Sequence, residues 1–213
     1  LRIYLNRYGK ESPEVAQILI YMGRSFSANE LYVKAFQCFD KAMRIYDYGA
    51  DELAPSTREK KSLLHRELAS IVKHVDGDIF EALNHYRSSV SYLEEHIERK
   101  RAMQGHAERK REFDQQLMVH YQEMLSILRK VHAEERDRDR RADFREEICD
   151  VLHRLGNLHA SRTEYDAALE CFNEVLASKR TTDSDVLRVA DLLFSKCPRL
   201  CVSRKDFIRD WSY

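Results

Sequence analysis

Apolar residues recur along this chain at steps of three and four, the period of one helical face. Val15, Ile18, Leu19, Met22 and Phe26 form the first such stripe. Ser12-Pro13-Glu14 precedes it, an N-cap followed by proline at the first helical position, where the missing N–H leaves no bond unmade. The polar link Ser27-Ala28-Asn29-Glu30 leads into a second stripe, Ala35, Phe39, Ala42, Met43 and Tyr46. Helices near 13–28 and 31–47 with so short a link predict a helical hairpin.

The middle of the chain is less regular. Ser56 and Glu59 form a capping box after Pro55 and open a helix near 57–75 through Leu63, Leu64, Leu68, Ile71 and Val72. After the turn Val75-Asp76-Gly77-Asp78, a helix near 79–102 shows Ile79, Leu83, Tyr86, Val90, Leu93 and Ile97. These two read as a degenerate hairpin over 57–102 with Ala82 at a small position. Its strict four-three spacing also fits a coiled-coil seam, but one shorter than three heptads, so packing within the chain is expected. Residues 99–112 are almost wholly polar around Gly105, and a helix near 107–136 follows with Phe113, Leu117, Tyr121, Met124, Leu128 and Val131. His120-Tyr121 echoes His85-Tyr86 at a spacing of 35, which suggests a third degenerate unit over 105–143. The helix over 146–160 is then sixth in order, the wrong parity for alternating hairpins. Either a further break lies within 99–143 or a long hairpin interrupts the array.

The first hairpin recurs at a spacing of 133: Leu19, Met22, Gly23 and Phe26 match Leu152, Leu155, Gly156 and His159, and Ala35, Cys38 and Phe39 match Ala168, Cys171 and Phe172. Glycine leaves room for close helix approach, alanine is small where helices cross, and phenylalanine is large where they diverge. Leu19, Gly23, Phe26, Ala35 and Phe39, with Leu152, Gly156, Ala168 and Phe172, resemble the signature of the tetratricopeptide repeat. The resemblance covers 13–47 and 146–180 best. The spacing equals about four 34-residue units or three of about 42. Glu14-Val15-Ala16 and Phe39-Asp40-Lys41-Ala42 look most like kinesin light chain and nephrocystin-3-type repeats, although Asn29 and Thr163 stand near the inter-helix position where those families usually carry glycine.

That resemblance implies an all-α fold, a right-handed solenoid of antiparallel helical hairpins with long irregular central helices, over 1–195 with a tail at 196–213. It also implies a concave groove lined by the first helix of each hairpin. The positions carried over are Gln17, Ile20, Arg24 and Ser27 in the first hairpin, and Asp150, His153, Asn157 and Ala160 in the last. Some relatives bind chaperone tails through a clamp of paired Asn and Lys. Tyr21 and Arg154 stand where one such Asn would be, so that ligand is not expected. A helix through Val186, Val189, Ala190, Leu193 and Phe194 would cap the last hairpin, with Phe207, Ile208, Trp211 and Tyr213 beyond it.

Composition narrows the chemistry. Six glycines and three prolines in 213 residues argue against a turn-rich β-sandwich, and 43% hydrophobic with 34% charged residues suits amphipathic helices with charged outer faces. Lys+Arg and Asp+Glu are both 36, so no global field steers nucleic acid or an anionic membrane. The basic runs Arg99-Lys100-Arg101 and Arg109-Lys110-Arg111 are interleaved with Glu94, Glu95, Glu98, Glu108 and Glu112, and 134–147 alternates in the same way; solvated helix faces are expected. No apolar run approaches the roughly 18–20 residues that span a bilayer. Five cysteines without a dense framework suggest reduced thiols and a cytoplasmic setting. Cys38 and Cys171 read as packing residues, and Cys197 with Cys201 lacks the second ligand pair of a zinc site. The nine histidines form no His-Glu-x-x-His pattern, and phosphate loops and nucleophile elbows are absent from the sequence. The expectation is a non-enzymatic scaffold or adaptor without cofactor or metal, binding a protein or peptide in the groove. The alternative is an architectural subunit of a larger assembly, held by its convex face and tail. The first residue, Leu1, suggests a piece of a longer chain.

Overall fold

The computed structural model describes residues 2–48, 55–75, 78–104 and 110–178. The expected capping helix from Val186, the apolar tail, Cys197 and Cys201 lie outside them. The described residues are all-α: α1 (Arg2–Tyr8), α2 (Pro13–Ala28), α3 (Tyr32–Tyr48), α4 (Pro55–Val75), α5 (Ile79–Gln104), α6 (Lys110–Glu134), α7 (Arg138–Ser161) and α8 (Tyr165–Ser178).

Local chemistry sets the helix ends. Gly9, at φ +85°, closes α1 in the left-handed region that glycine enters without strain. Ser12 Oγ accepts from the Val15 N–H at 3.3 Å, so the N-cap expected from Ser12-Pro13 forms. Asp78 Oδ1 accepts from the Phe80 and Glu81 N–H groups and starts α5. Asp137 does the same for α7 through Asp139 and Arg140. That cap starts α7 eight residues before the 146–160 stripe, because the largely charged segment 138–145 has its first N–H groups satisfied although it carries no apolar stripe. Helix α1 has no counterpart in the apolar periodicity. Neither α6 nor α7 is broken, so α6 stands singly in order between the α4/α5 and α7/α8 hairpins. This is the source of the odd parity.

The chain forms two compact units, 1–127 and 128 onward, with the division inside α6. In the first unit, Val15, Leu19 and Ile20 of α2 pack with Ala35, Phe39 and Ala42 of α3 and with Leu64, Leu68 and Ile71 of α4. In the second, Ala160 of α7 packs with Ala168 and Phe172 of α8.

The two matched hairpins share one plan down to single atoms. The α2–α3 turn is closed by the Leu31 N–H donating to the Phe26 carbonyl at 2.9 Å, and the α7–α8 turn by the Glu164 N–H donating to His159 at 3.0 Å. In each, one residue sits in the left-handed region without being glycine: Glu30 at φ 60° and Thr163 at φ 64°. The equivalent of Thr163 is therefore Glu30, next to the Asn29 expected near this position, and the Asn29 side-chain amide donates back to the Ser25 carbonyl.

Candidate functional site

The exposed surface of α2 runs through Glu14, Tyr21, Arg24 and Ala28, with Gln17 half-buried among them. These positions are three and four apart and make one stripe. Tyr21 lies at its centre and is 57% exposed. Ile20, expected in the groove, is fully buried in the core that α2 shares with α3 and α4, and Ser27 is half-buried. The open face thus departs from the inherited positions at Ile20. Gln17 and Arg24 stay on it, and Tyr21 takes the place expected of Ile20. The signal was present: Ile18-Leu19-Ile20 is a run of three apolar residues, wide enough to face two neighbouring helices.

Ion pairs tie this face to the next helices. Arg24 Nε donates to Glu67 Oε1 of α4 at 2.8 Å. The adjacent Arg66 donates through Nε and Nη2 to both oxygens of Glu123 on α6, at 2.7 and 2.8 Å. Residues 66 and 67 therefore reach in opposite directions, and α2, α4 and the first part of α6 are laddered by two Arg–Glu rungs. Hydrogen bonding to Glu123 raises the Arg66 guanidinium pKa further above its usual value. Both pairs are partly exposed, so each contributes on the order of 0–1 kcal/mol. Their effect is to neutralise charge along the face.

Beneath the rungs lies a polar seam that the sequence did not reveal. Ser62 Oγ of α4 donates to the Ser89 carbonyl of α5 at 2.8 Å, and Ser89 Oγ donates to the Ser62 carbonyl at 2.8 Å. His120 of α6 has its Nδ1 at 2.9 Å from Ser89 Oγ. His65 of α4 and His85 of α5 meet Nδ1 to Nδ1 at 3.0 Å. The His65 ring stacks on Tyr92, and Lys61, its side chain only 3% exposed, pairs with Asp47 of α3 at 2.9 Å. Burial holds His65 and His120 down to about 4 and lowers His85, and it pushes Tyr86 up to about 12. A sequence signal for this seam exists in the seven-residue steps Ser62–Ala69 and Ala82–Ser89–His96, small or polar residues on otherwise apolar faces; all five are buried.

In the second unit, Asp150, Arg154 and Ser161 are exposed on α7, and Asn157 is half-buried with them, a stripe equivalent to that of α2. His153 is exposed and turns its ring edge to Phe172 at 5.9 Å between centroids. Ala160 is buried against Ala168 and Phe172, so it does not line an open face. Of the inherited positions on α7, Asp150 and His153 are exposed, Asn157 is half-buried and Ala160 alone is buried. Arg129 of α6 forks onto Glu174 of α8 at 2.6 and 2.7 Å. Desolvation raises the thiol pKa of buried Cys38 and half-buried Cys171, as packing sulfurs require. Among the described residues no group of three or more His, Cys, Asp or Glu could hold a metal ion, and no helix is long and apolar enough to cross a membrane.

No family model matches the chain, and no curated protein matches it. Among solved structures it is similar to BtubC (BKLC) from P. vanneervenii, at 13% identity and TM-score 0.35, over 90% of this chain and 70% of that one. It is also similar to PilF of Pseudomonas aeruginosa, at 17% identity and TM-score 0.31, over 93% of this chain and 73% of the other. A third likeness, to the de novo designed helical repeat protein DHR64, has 15% identity and TM-score 0.38 over 99% and 92% of the two chains. The fold assignment rests on the chain's own geometry. It is an all-α array containing two helical hairpins built on one plan, of the kind a tetratricopeptide resemblance implies.

Proposed function

We propose that the chain is a protein-interaction scaffold that takes a peptide or a partner helix along the face of α2, α4 and the first part of α6. The observation that carries this reading is Tyr21, a large aromatic exposed at the centre of a stripe whose flanking charges are neutralised by the Arg24–Glu67 and Arg66–Glu123 rungs. An aromatic ring with a polar tip in a charge-balanced setting suits a binding anchor, and the rungs hold the helices around it in register. Affinity capture from native extract, scored by mass spectrometry, tests the reading with the wild type beside Tyr21→Ala/Arg24→Glu and Asn157→Ala variants. Loss of a partner in the first variant supports the face of α2; a stoichiometric partner set unchanged in both variants removes the groove reading.

A second reading is favoured by α3. Val33 is 58% and Tyr48 88% exposed on the outer side of the first hairpin, where a permanent neighbour could cover them. That is the architectural-subunit reading, and a partner set that survives gel filtration at high salt and is lost on Val33→Ser/Tyr48→Ser would support it.

A further inference from the structure

The seam between α4, α5 and α6 gathers histidines that the open face does not use. Ser89 has one hydroxyl hydrogen, and it is committed to the Ser62 carbonyl. His120 must therefore donate its Nδ1–H to Ser89 Oγ, which fixes the neutral tautomer. The His65–His85 contact has room for one proton between its two Nδ1 atoms, so one ring donates and the other accepts.

We propose that this seam is an acid-sensitive latch: proton uptake by His65, His85 and His120 loosens α5 and α6 from α4, while α4 stays seated on the α2/α3 hairpin. Two protonated rings at 3.0 Å would set N–H against N–H and charge against charge. Lys61, beside His65 on α4, already places a cation there, with Asp47 of α3 as its counter-ion. Glu81 of α5 is the carboxylate nearest in effect to His85. For His120, the facing groups are Arg66 of α4, which repels a new charge, and Glu123 of α6, already engaged by both Arg66 nitrogens. The contact of α4 with α2 and α3 is different in kind. Its core is apolar through Leu64, Leu68 and Ile71, flanked by the Arg24–Glu67 and Lys61–Asp47 ion pairs, and residues 13–48 contain no histidine; His74 of α4 stacks on Tyr32 at the exposed edge.

The sign follows from burial. Folded-state values near 4 for His65 and His120 lie below the ordinary 6.5, so the folded seam binds fewer protons than the open one. Its stability is fully present above about pH 6.5 and is lost as pH falls toward 4. The Arg66–Glu123 rung depends on the seam holding α4 and α6 together, so opening the seam dissolves it, while the Arg24–Glu67 rung between α2 and α4 is kept.

The test is peptide-resolved hydrogen exchange of the full chain at about pH 7 and about pH 5, with labelling times scaled for the intrinsic rate, together with NMR titration of the histidine rings. The expected result is at least a roughly tenfold loss of protection in α5 and α6 peptides at the lower pH, with α2 and α3 unchanged, and His65 and His120 titrating below about 5. The His85→Asn/His120→Gln variant, which keeps hydrogen-bonding groups but cannot take up a proton there, should retain protection. Protection that is equal at both pH values, or lost equally from α2 and α3, overturns the proposal. So does ring titration near 6.5 in the folded wild type, a measurement that decides the matter even if the double variant fails to fold.

Discussion

Gly23 lies directly against the Phe39 ring: a Cβ built on the glycine would come within 2.6 Å of Phe39 Cε1. Gly156 stands in the same relation to Phe172, again at 2.6 Å from Cε1. Both rings are buried, so neither can swing aside into solvent. This close approach is the packing reason for glycine inside a helix, where it otherwise costs about 1 kcal/mol relative to alanine.

Gly23→Ala and Gly156→Ala should each destabilise their hairpin by about 1–3 kcal/mol from overpacking, outweighing the gain of roughly 1 kcal/mol in helix propensity. Urea unfolding followed by circular dichroism measures this. Pairing Gly23→Ala with Phe39→Leu should cost less than the two singles combined, because the shorter side chain vacates the clash. A stabilised Gly23→Ala variant would show that the ring repacks freely.

The two turns give a prediction of opposite sign. Glu30 and Thr163 hold left-handed φ values that cost a residue with a Cβ about 1–2 kcal/mol. Glycine relieves this but adds freedom to the unfolded chain. Glu30→Gly and Thr163→Gly should therefore each raise stability by about 0.5–1 kcal/mol, more for the β-branched Thr163. Thermal melts of both variants provide the check, and a lowered midpoint for Thr163→Gly would refute the strain assignment.

The open face of α2 separates two neighbouring residues. Ile20→Ala removes a fully buried side chain from the core shared by α2, α3 and α4 and should cost about 2–5 kcal/mol. Tyr21→Ala, on the open stripe, should change stability by less than about 0.5 kcal/mol. Paired denaturation curves decide between the observed face and the inherited one; equal costs would mean that Ile20 is not part of the core.

Lys61 tests the buried charge beneath Tyr92. Its ammonium lies over the Tyr92 ring at 5.7 Å and pairs with Asp47 at 2.9 Å. Asp47→Asn leaves a desolvated cation short of its partner and should destabilise by about 1–3 kcal/mol. Lys61→Met, which fills similar volume without charge, should be neutral or stabilising. A large loss on Lys61→Met, measured by the same unfolding assay, would show that the ion pair itself holds α3 to α4.

Much of the fold was legible because helices and tight turns are local. The Leu19-Gly23-Phe26 and Ala35-Phe39 spacing, with Ser12-Pro13 in front, contains the helix start, the buried stripe and the crossing point of the first hairpin within about 35 residues. Repetition of that spacing at Leu152, Gly156, Ala168 and Phe172 carries the same geometry to the second. The start of α7 was not legible from apolar pattern, because Asp137 caps a largely charged segment with no apolar stripe. The seam was hidden for a related reason. Seven-residue steps mark Ser62 and Ser89 as polar residues on apolar faces, but Ser62, Ser89 and His120 are far apart in the chain, and no local pattern says which polar groups pair across three helices.

By itself, then, the sequence determined the helices, the hairpin turns and the recurrence of one packing plan, since those depend on steps of three and four and on side-chain size within a hairpin. Tertiary structure alone decided which flank of each helix stays open. Periodicity marks Ile20 and Tyr21 as neighbours on α2, but only the packing of α3 and α4 onto it buries the first and leaves the second to solvent. The same packing of α4 against α5 and α6 brings Ser62, Ser89 and His120 out of water together, and it is this desolvation, absent from any single helix, that gives their hydrogen bonds and ring protonation their weight.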